Sequence, residues 1–268
     1  MNNSSPYALI TGASSGIGYQ FARELAKKKF NLIIVSNEDL KNQEVCLILV
    51  NEFNIKAIPF FIDLTRPESA ETLFNFCIEQ QLDVDILINN AGMFFFKEIP
   101  DTSPEMVSKI LMLHIVTSTL LSTYFSNYMR QKKSGHILFI SSITAWMSYP
   151  GISLYGATKG YLRQFARSLR YEMKDYHVNI SVVCPSAIDT NLYNLSEKQR
   201  SLALRTGVMM CSQALAKKSL SAMFKKRFLY IPGFLAKISV CFVLFVPPFV
   251  IQRIKRYMWK KLKINGNH

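Results

Sequence analysis

"YALITGASSGIG" occupies residues 7–18, and its reading decides the fold. Tyr7 to Thr11 is a strand-length apolar run, and helical spacing resumes through Phe21, Leu25 and Ala26. A strand that feeds a helix through a Gly/Ser-rich turn is the first half of a βαβ unit. Gly12 permits the tight turn, Gly16 lets a backbone approach a pyrophosphate, and Gly18 lets helix and sheet pack closely. The free N–H groups at the start of the helix favour phosphate. Gly12, Ser14, Ser15, Gly16, Ile17 and Gly18 therefore form a candidate dinucleotide cradle. The spacing is GxxxGxG rather than GxGxxG, so its place after a first strand carries much of the weight.

Strand and helix signals alternate along the rest of the chain. "NLIIVS" (31–36), "KAIPFFID" (56–63), "DILINN" (85–90), "GHILFISS" (135–142), "VNISVVCP" (178–185) and "RFLYIP" (227–232) read as strands. Helical patterns cover 38–53, a stretch from Pro67, 104–131 and 153–176. Such alternation predicts right-handed crossovers and an α/β fold: one doubly wound parallel sheet of about seven strands with helices on both faces. Ligands of such sheets bind beyond the C-terminal strand ends. Gly12, Asp63, Asn89 and Ser142 all fall there.

Composition narrows the function. The net charge is +14, yet residues 201–268 hold thirteen Lys and Arg with no Asp or Glu, so residues 1–200 are nearly neutral. That argues against nucleic acid as a partner. Cys46, Cys77, Cys184, Cys211 and Cys241 show neither CxxC nor metal spacing, and no metal site is expected. Buried reduced thiols, with no basic-then-apolar leader before Tyr7, fit a cytoplasmic setting.

"LYGATKG" (154–160) carries the chemistry. On a helix Tyr155 and Lys159 share a face. An ammonium beside a phenol favours the phenolate and moves the phenol pKa toward neutrality. Taken with "TGASSGIG", Asp63 in "FFIDLT", "NNAG" (89–92), Ser142 in "ISS" and "CPSAIDT" (184–190), the sequence resembles the short-chain dehydrogenase/reductase family over residues 7 to about 233. The resemblance implies that Tyr155 is the acid/base, that Lys159 lowers its pKa and holds the nicotinamide ribose, and that Ser142 bonds the substrate oxygen. It also implies that Asn89 and Gly92 tie the sheet beside the adenosine and that Asp63 meets the adenine. The Ile188 backbone would meet the carboxamide, with Thr190 beside it.

Two departures stand out. The family asparagine about 24 residues beyond the second Asn of NNAG, which holds a helix kink and a water relay to the lysine, is replaced by His114. A histidine either keeps the relay, since its ring both donates and accepts, or sits buried with both nitrogens satisfied. Both readings stay open, and an intact Ser142–Tyr155–Lys159 set weighs against a catalytically weak dinucleotide-binding sensor or scaffold. Ser186 stands where the family often has glycine, and no lost activity is read into it. At the second strand end, Ser36 and Asn37 replace the acid that would favour NAD, and Lys41 helps. NADP is therefore favoured over NAD, with Glu38 and Asp39 opposing.

Residues 234–268 differ in composition from the domain at 1–233. "ISVCFVLFVPPFVI" (238–251) is apolar, too short to span a bilayer and broken by Pro247 and Pro248, and "QRIKRYMWKKLK" (252–263) follows. Ile254, Met258 and Leu262 stripe a helix among cations, as an anchor peripheral on an anionic cytoplasmic membrane face would. The alternative is a roof over the substrate pocket. Leu192, Tyr193, Leu195, Leu202, Leu204, Val208, Met209 and Met210 predict an apolar lid, hence a hydrophobic carbonyl or alcohol substrate. The family habit implies a homodimer or homotetramer through 104–131 and 153–176.

Overall fold

The computed structural model describes residues 5–147, 149–189, 201, 209–243, 246–253 and 255–256. In chain order the elements are β1 (Tyr7–Thr11), α1 (Gly16–Ala26), β2 (Asn31–Ser36), α2 (Asp39–Phe53), β3 (Ala57–Phe61), α3 (Ser69–Glu79) and β4 (Val84–Asn89). There follow α4 (Pro104–Leu111), α5 (Ser118–Lys132), β5 (Gly135–Ile140), α6 (Ser153–Met173), β6 (Val178–Val183) and β7 (Ala187–Asp189). The last are β8 (Met209–Cys211), α7 (Ser212–Phe224), β9 (Leu229–Tyr230) and α8 (Phe234–Val243).

Seven strands form one parallel sheet in the order β3-β2-β1-β4-β5-β6-β9. β1 and β2 are buried along their whole length, which is why they read as unbroken apolar runs. Consecutive residues face opposite layers. Leu9, Ile33, Leu87 and Phe139 pack with Leu73, Phe125 and Leu162 of α3, α5 and α6. Ile10, Ile34, Ile88 and Leu138 pack with Phe21, Leu49 and Leu220 of α1, α2 and α7. Pro59 is tolerated because β3 is an edge strand. Helix ends follow local chemistry: α2 stops at Asn54, whose backbone is left-handed (φ 49) and whose N–H caps Val50 O.

Two features differ from the sequence reading. The single helix expected over 104–131 is α4, a π-helical stretch at Met112–Thr117, and α5. β7 and β8 pair as a separate two-stranded sheet, too short for any periodicity to announce. The cysteines also divide: Cys46, Cys77 and Cys184 are buried, and burial pushes their thiols up to about 12, but Cys211 and Cys241 are exposed. The apolar stretch Pro104–Lys132 is long enough to cross a membrane, yet it is the helical layer that packs on this sheet.

Candidate active site

Strand order reverses between β1 and β4, and a cleft of about 660 Å³ opens over their C-terminal ends. Ser15 is the N-cap of α1 but makes no side-chain cap bond, so the first-turn N–H groups keep their capacity beside Gly12, Ser14, Gly16 and Ile17 in the lining. Gly12 is left-handed (φ 65), and a Cβ there would stand 2.9 Å from Ala91 Cα. This cradle fits a pyrophosphate, whose approach any side chain would block.

Gly18 is not in the lining. A Cβ on it would meet Gly12 O at 2.1 Å, so its place is helix-to-loop packing. Asn89 needs the same correction. Its amide donates to Ser122 Oγ at 3.0 Å and lies buried beneath the cleft. Asn90 does the work on the cleft side, donating to Thr11 O at 2.8 Å and Gly12 O at 3.1 Å. The doubled "NN" could have raised Asn90, but spacing alone does not tell which of the two faces the sheet. Thr190 lies outside the described residues.

Asn37, Asp63, Gly92 and Ile188 line the cleft as expected. Asp63 Oδ1 accepts from Thr65 N–H at 2.9 Å and Thr65 Oγ1 at 2.8 Å, and these bonds hold its carboxyl below the usual range. Ser36 also lines the cleft, with its hydroxyl engaged: it donates to Asn42 Oδ1 at 2.7 Å and accepts from Glu38 N–H at 3.0 Å. Beyond it Glu38 pairs with Lys41 and accepts from Ser14 Oγ at 2.7 Å, and these partners lower its pKa. Lys41 and Glu38, opposing influences on the cofactor in the sequence, are joined in the structure.

Ser142, Tyr155 and Lys159 come to the same cleft. Ser142 caps the 3₁₀ turn Ile143–Trp146, its Oγ accepting from Thr144 N–H at 3.2 Å, which leaves the hydroxyl proton to donate. Lys159 is buried, donates to Ile140 O at 2.9 Å, and holds its ammonium 5.5 Å from the Tyr155 ring centre. Burial drives its pKa down from 10.5 to about 8. The Tyr155 ring stands between edge contacts to Phe94 at 5.1 Å and His114 at 5.9 Å.

His114 does not line the cleft; it stands behind Tyr155, 1% exposed. Its Nε2 accepts from Met93 N–H at 2.9 Å, so the ring proton is on Nδ1, 2.8 Å from Thr158 Oγ1. Thr158 in turn donates to Tyr155 O at 2.8 Å. Burial first, then the Lys159 charge, puts the His114 pKa well below 6.5, so the ring is neutral. Both nitrogens are satisfied. Gly92 accommodates this ring, since a Cβ there would come within 3.0 Å of Nε2.

Comparison with known proteins gives this geometry a lineage. The model of the short chain dehydrogenase family matches residues 6–201. An NADP-dependent 3-hydroxy acid dehydrogenase of Schizosaccharomyces pombe is 32% identical over 189 residues, covering 68% of this chain and 71% of that protein. A very-long-chain 3-oxoacyl-CoA reductase of Neurospora crassa is 27% identical over 223 residues, covering 81% and 65%. A solved short-chain dehydrogenase from Sphingobium yanoikuyae in complex with NADPH superposes with a TM-score of 0.77 at 23% identity, over 98% of this chain and 96% of that one.

Proposed function

Because the chain belongs to the short-chain dehydrogenase family, we propose that it is an NADP(H)-dependent oxidoreductase interconverting a carbonyl and a secondary alcohol on a hydrophobic, lipid-like substrate. The observation that carries this reading is the convergence of Ser142, Tyr155 and Lys159 on the cleft that also holds the glycine-rich cradle. A bound nicotinamide supplies or accepts the hydride, which no side chain can do. In reduction, Tyr155 gives its phenolic proton to the substrate oxygen, and in oxidation it takes that proton back. Ser142 donates its free hydroxyl proton to the same oxygen, where negative charge develops. Lys159, charged below a pKa of about 8, favours the phenolate left on Tyr155.

NADP is supported by the cofactor in the names of the S. pombe relative and the S. yanoikuyae structure. It is also supported by Lys41, which offsets Glu38 beside the loop that would meet a 2′-phosphate. An apolar substrate is supported by the run Met93-Phe94-Phe95-Phe96, where Phe94 touches Tyr155 and Phe96 backs Gly151. The N. crassa relative, named for very-long-chain substrates, points the same way. Of the lid residues read from sequence, only Met209 and Met210 are described. The partly exposed outer face of α5 and α6, where Thr119 and Tyr161 bond at 3.0 Å, supports assembly into a dimer or tetramer. The basic, acid-free segment 234–268 supports work in the cytoplasm, peripheral on a membrane.

The test is turnover of NADPH and NADH against short-chain, fatty, steroid and sphingoid ketones. Wild type should oxidise NADPH at a lower KM than NADH, and Tyr155→Phe should lose at least ~100-fold in rate. No cofactor oxidation by wild type on any of these ketones would leave the dinucleotide-binding scaffold as the better reading, and equal turnover by the two proteins would remove Tyr155 as the acid/base.

A further inference from the structure

We propose that one face of α8 docks flat on an anionic lipid bilayer, and that this bilayer delivers the apolar substrate to the cleft. The second half of that statement rests on the reductase reading above; the first does not.

At about 100° per residue, Phe234, Leu235, Ile238, Cys241 and Phe242 fall within one third of the circumference of α8. All five are exposed, Phe234 at 76%, Leu235 at 61% and Phe242 at 67%. Ala236 is buried on the opposite side, where α8 packs on the 3₁₀ turn Ile143–Trp146. Residues 248–253 are helical again and add Phe249, 71% exposed. Lys255 pairs with Glu98 at 2.7 Å, fixing this second stretch to the domain. The apolar face is thus presented by a backbone held from behind.

Its surroundings choose the occupant. Lys237 flanks the apolar arc, and Arg253 and Arg256 are exposed beside Phe249. Residues 201–268 hold thirteen cations and no acid. A second copy seated symmetrically on this face would bring like charges together. Among the described residues the lining of the nucleotide cleft ends at Ser212, and the tail's part in roofing a pocket falls to Ile251 and Lys255, which line a neighbouring cavity with Thr144, Met147 and Gly156, not to the exposed arc of α8. An anionic bilayer answers both properties, with an apolar interior for the aromatic side chains and a negative surface for the cations. α8 has ten residues and is about 15 Å long, half the ~30 Å of a bilayer core, so it lies along the surface rather than across.

The helix that carries the docked face meets the site through its other side. Ser142 caps the same 3₁₀ turn on which α8 packs. A ketone leaving the bilayer at α8 would thus start one helix diameter from the turn that Ser142 caps.

The full chain is sedimented with phosphatidylcholine vesicles, with and without phosphatidylserine, and assayed on a small water-soluble ketone and on a long-chain ketone held in the vesicles. Wild type should bind the phosphatidylserine vesicles, with the bound fraction falling as salt rises. Phe234→Asp/Phe242→Asp should lose at least ~tenfold in binding and all vesicle stimulation with the long-chain ketone, while keeping its rate on the soluble one. Undiminished binding by that variant would overturn the docking face. A vesicle-indifferent wild type that forms dimers which the variant cannot form would assign the face to a second copy instead. Binding through α8 by a wild type that turns over no ketone would keep the docking face and remove the reductase reading.

Discussion

His114 replaces a family asparagine, and its two bonds say what the replacement does. A ring whose Nε2 accepts from Met93 N–H and whose Nδ1–H reaches Thr158 has no nitrogen left for a mobile proton. It braces Tyr155 from behind instead. His114→Asn should therefore keep at least about a tenth of the turnover, and its measurable effect should be on stability. The unfolded chain takes up a proton near pH 6.5, while the folded ring does so only well below that value. Acidification through this window thus favours unfolding of the wild type, and stability present above pH 6.5 is lost as pH falls. Urea denaturation at pH 7 and pH 5 should show a smaller acid-side loss in His114→Asn, with the residual slope including His136, which burial shifts the same way. An equal loss in both proteins would mean that His114 is already charged when folded. The distance from NNAG identified the position, but not the role. That depended on the Met93 backbone meeting the ring, and no spacing in the sequence encodes such an approach.

α6 shows what a single helix both supplies and exacts. Its i,i+4 geometry puts Tyr155 and Lys159 on one face, as "LYGATKG" led one to expect. Gly156 lets the helix close on the turn after Ser142, since a Cβ there would meet Thr144 O at 3.3 Å. The cost is a buried ammonium. Between pH 8 and 10.5 the unfolded chain holds a proton on Lys159 that the folded chain has released, so this lysine makes stability rise with pH across that window. Lys159→Met should flatten the rise and, at pH 7, be more stable than wild type by about 1–3 kcal/mol, while losing at least ~100-fold in turnover. Ile140 O, left by the amine, lines the cleft and can take water. A less stable and equally inactive variant would mean that the Ile140 bond outweighs the buried charge. The long strands and helices were legible because period and length agree over many residues. The π-helical stretch at Met112–Thr117 was legible only as the kink that the family resemblance places at His114, because a wider turn leaves an ordinary helical pattern on either side. The bond from Ser14 to Glu38, which joins residues 24 apart in the chain, was not legible.

At the scale of the molecule, α8 packs against the sheet domain from outside its buried clusters. The deeply buried clusters on the two sheet faces draw on residues from Tyr7 to Met223, and β9 completes the sheet at Leu229–Tyr230. In α8 only Ala236 is buried, and among the described residues the lining of the cleft stops at Ser212. The charge splits about thirty residues earlier, at 200/201, so charge alone did not mark this place and only the apolar run from Ile238 did; which surface the tail covers was not legible either, since that is a matter of packing on Ile143–Trp146. A chain ending at Gly233 should therefore fold cooperatively and bind NADPH with a Kd within about threefold of wild type, read by fluorescence titration. It should leave the vesicle pellet for the supernatant, because it has lost both the apolar face and the basic stretch. Its rate on a soluble ketone should nonetheless fall by about two- to tenfold, because the turn capped by Ser142 has lost the helix behind it. Unchanged cofactor affinity with a lower kcat would assign α8 a positioning role in addition to docking. A truncated chain that fails to bind NADPH would mean instead that the addition is part of the folding unit, despite the burial pattern.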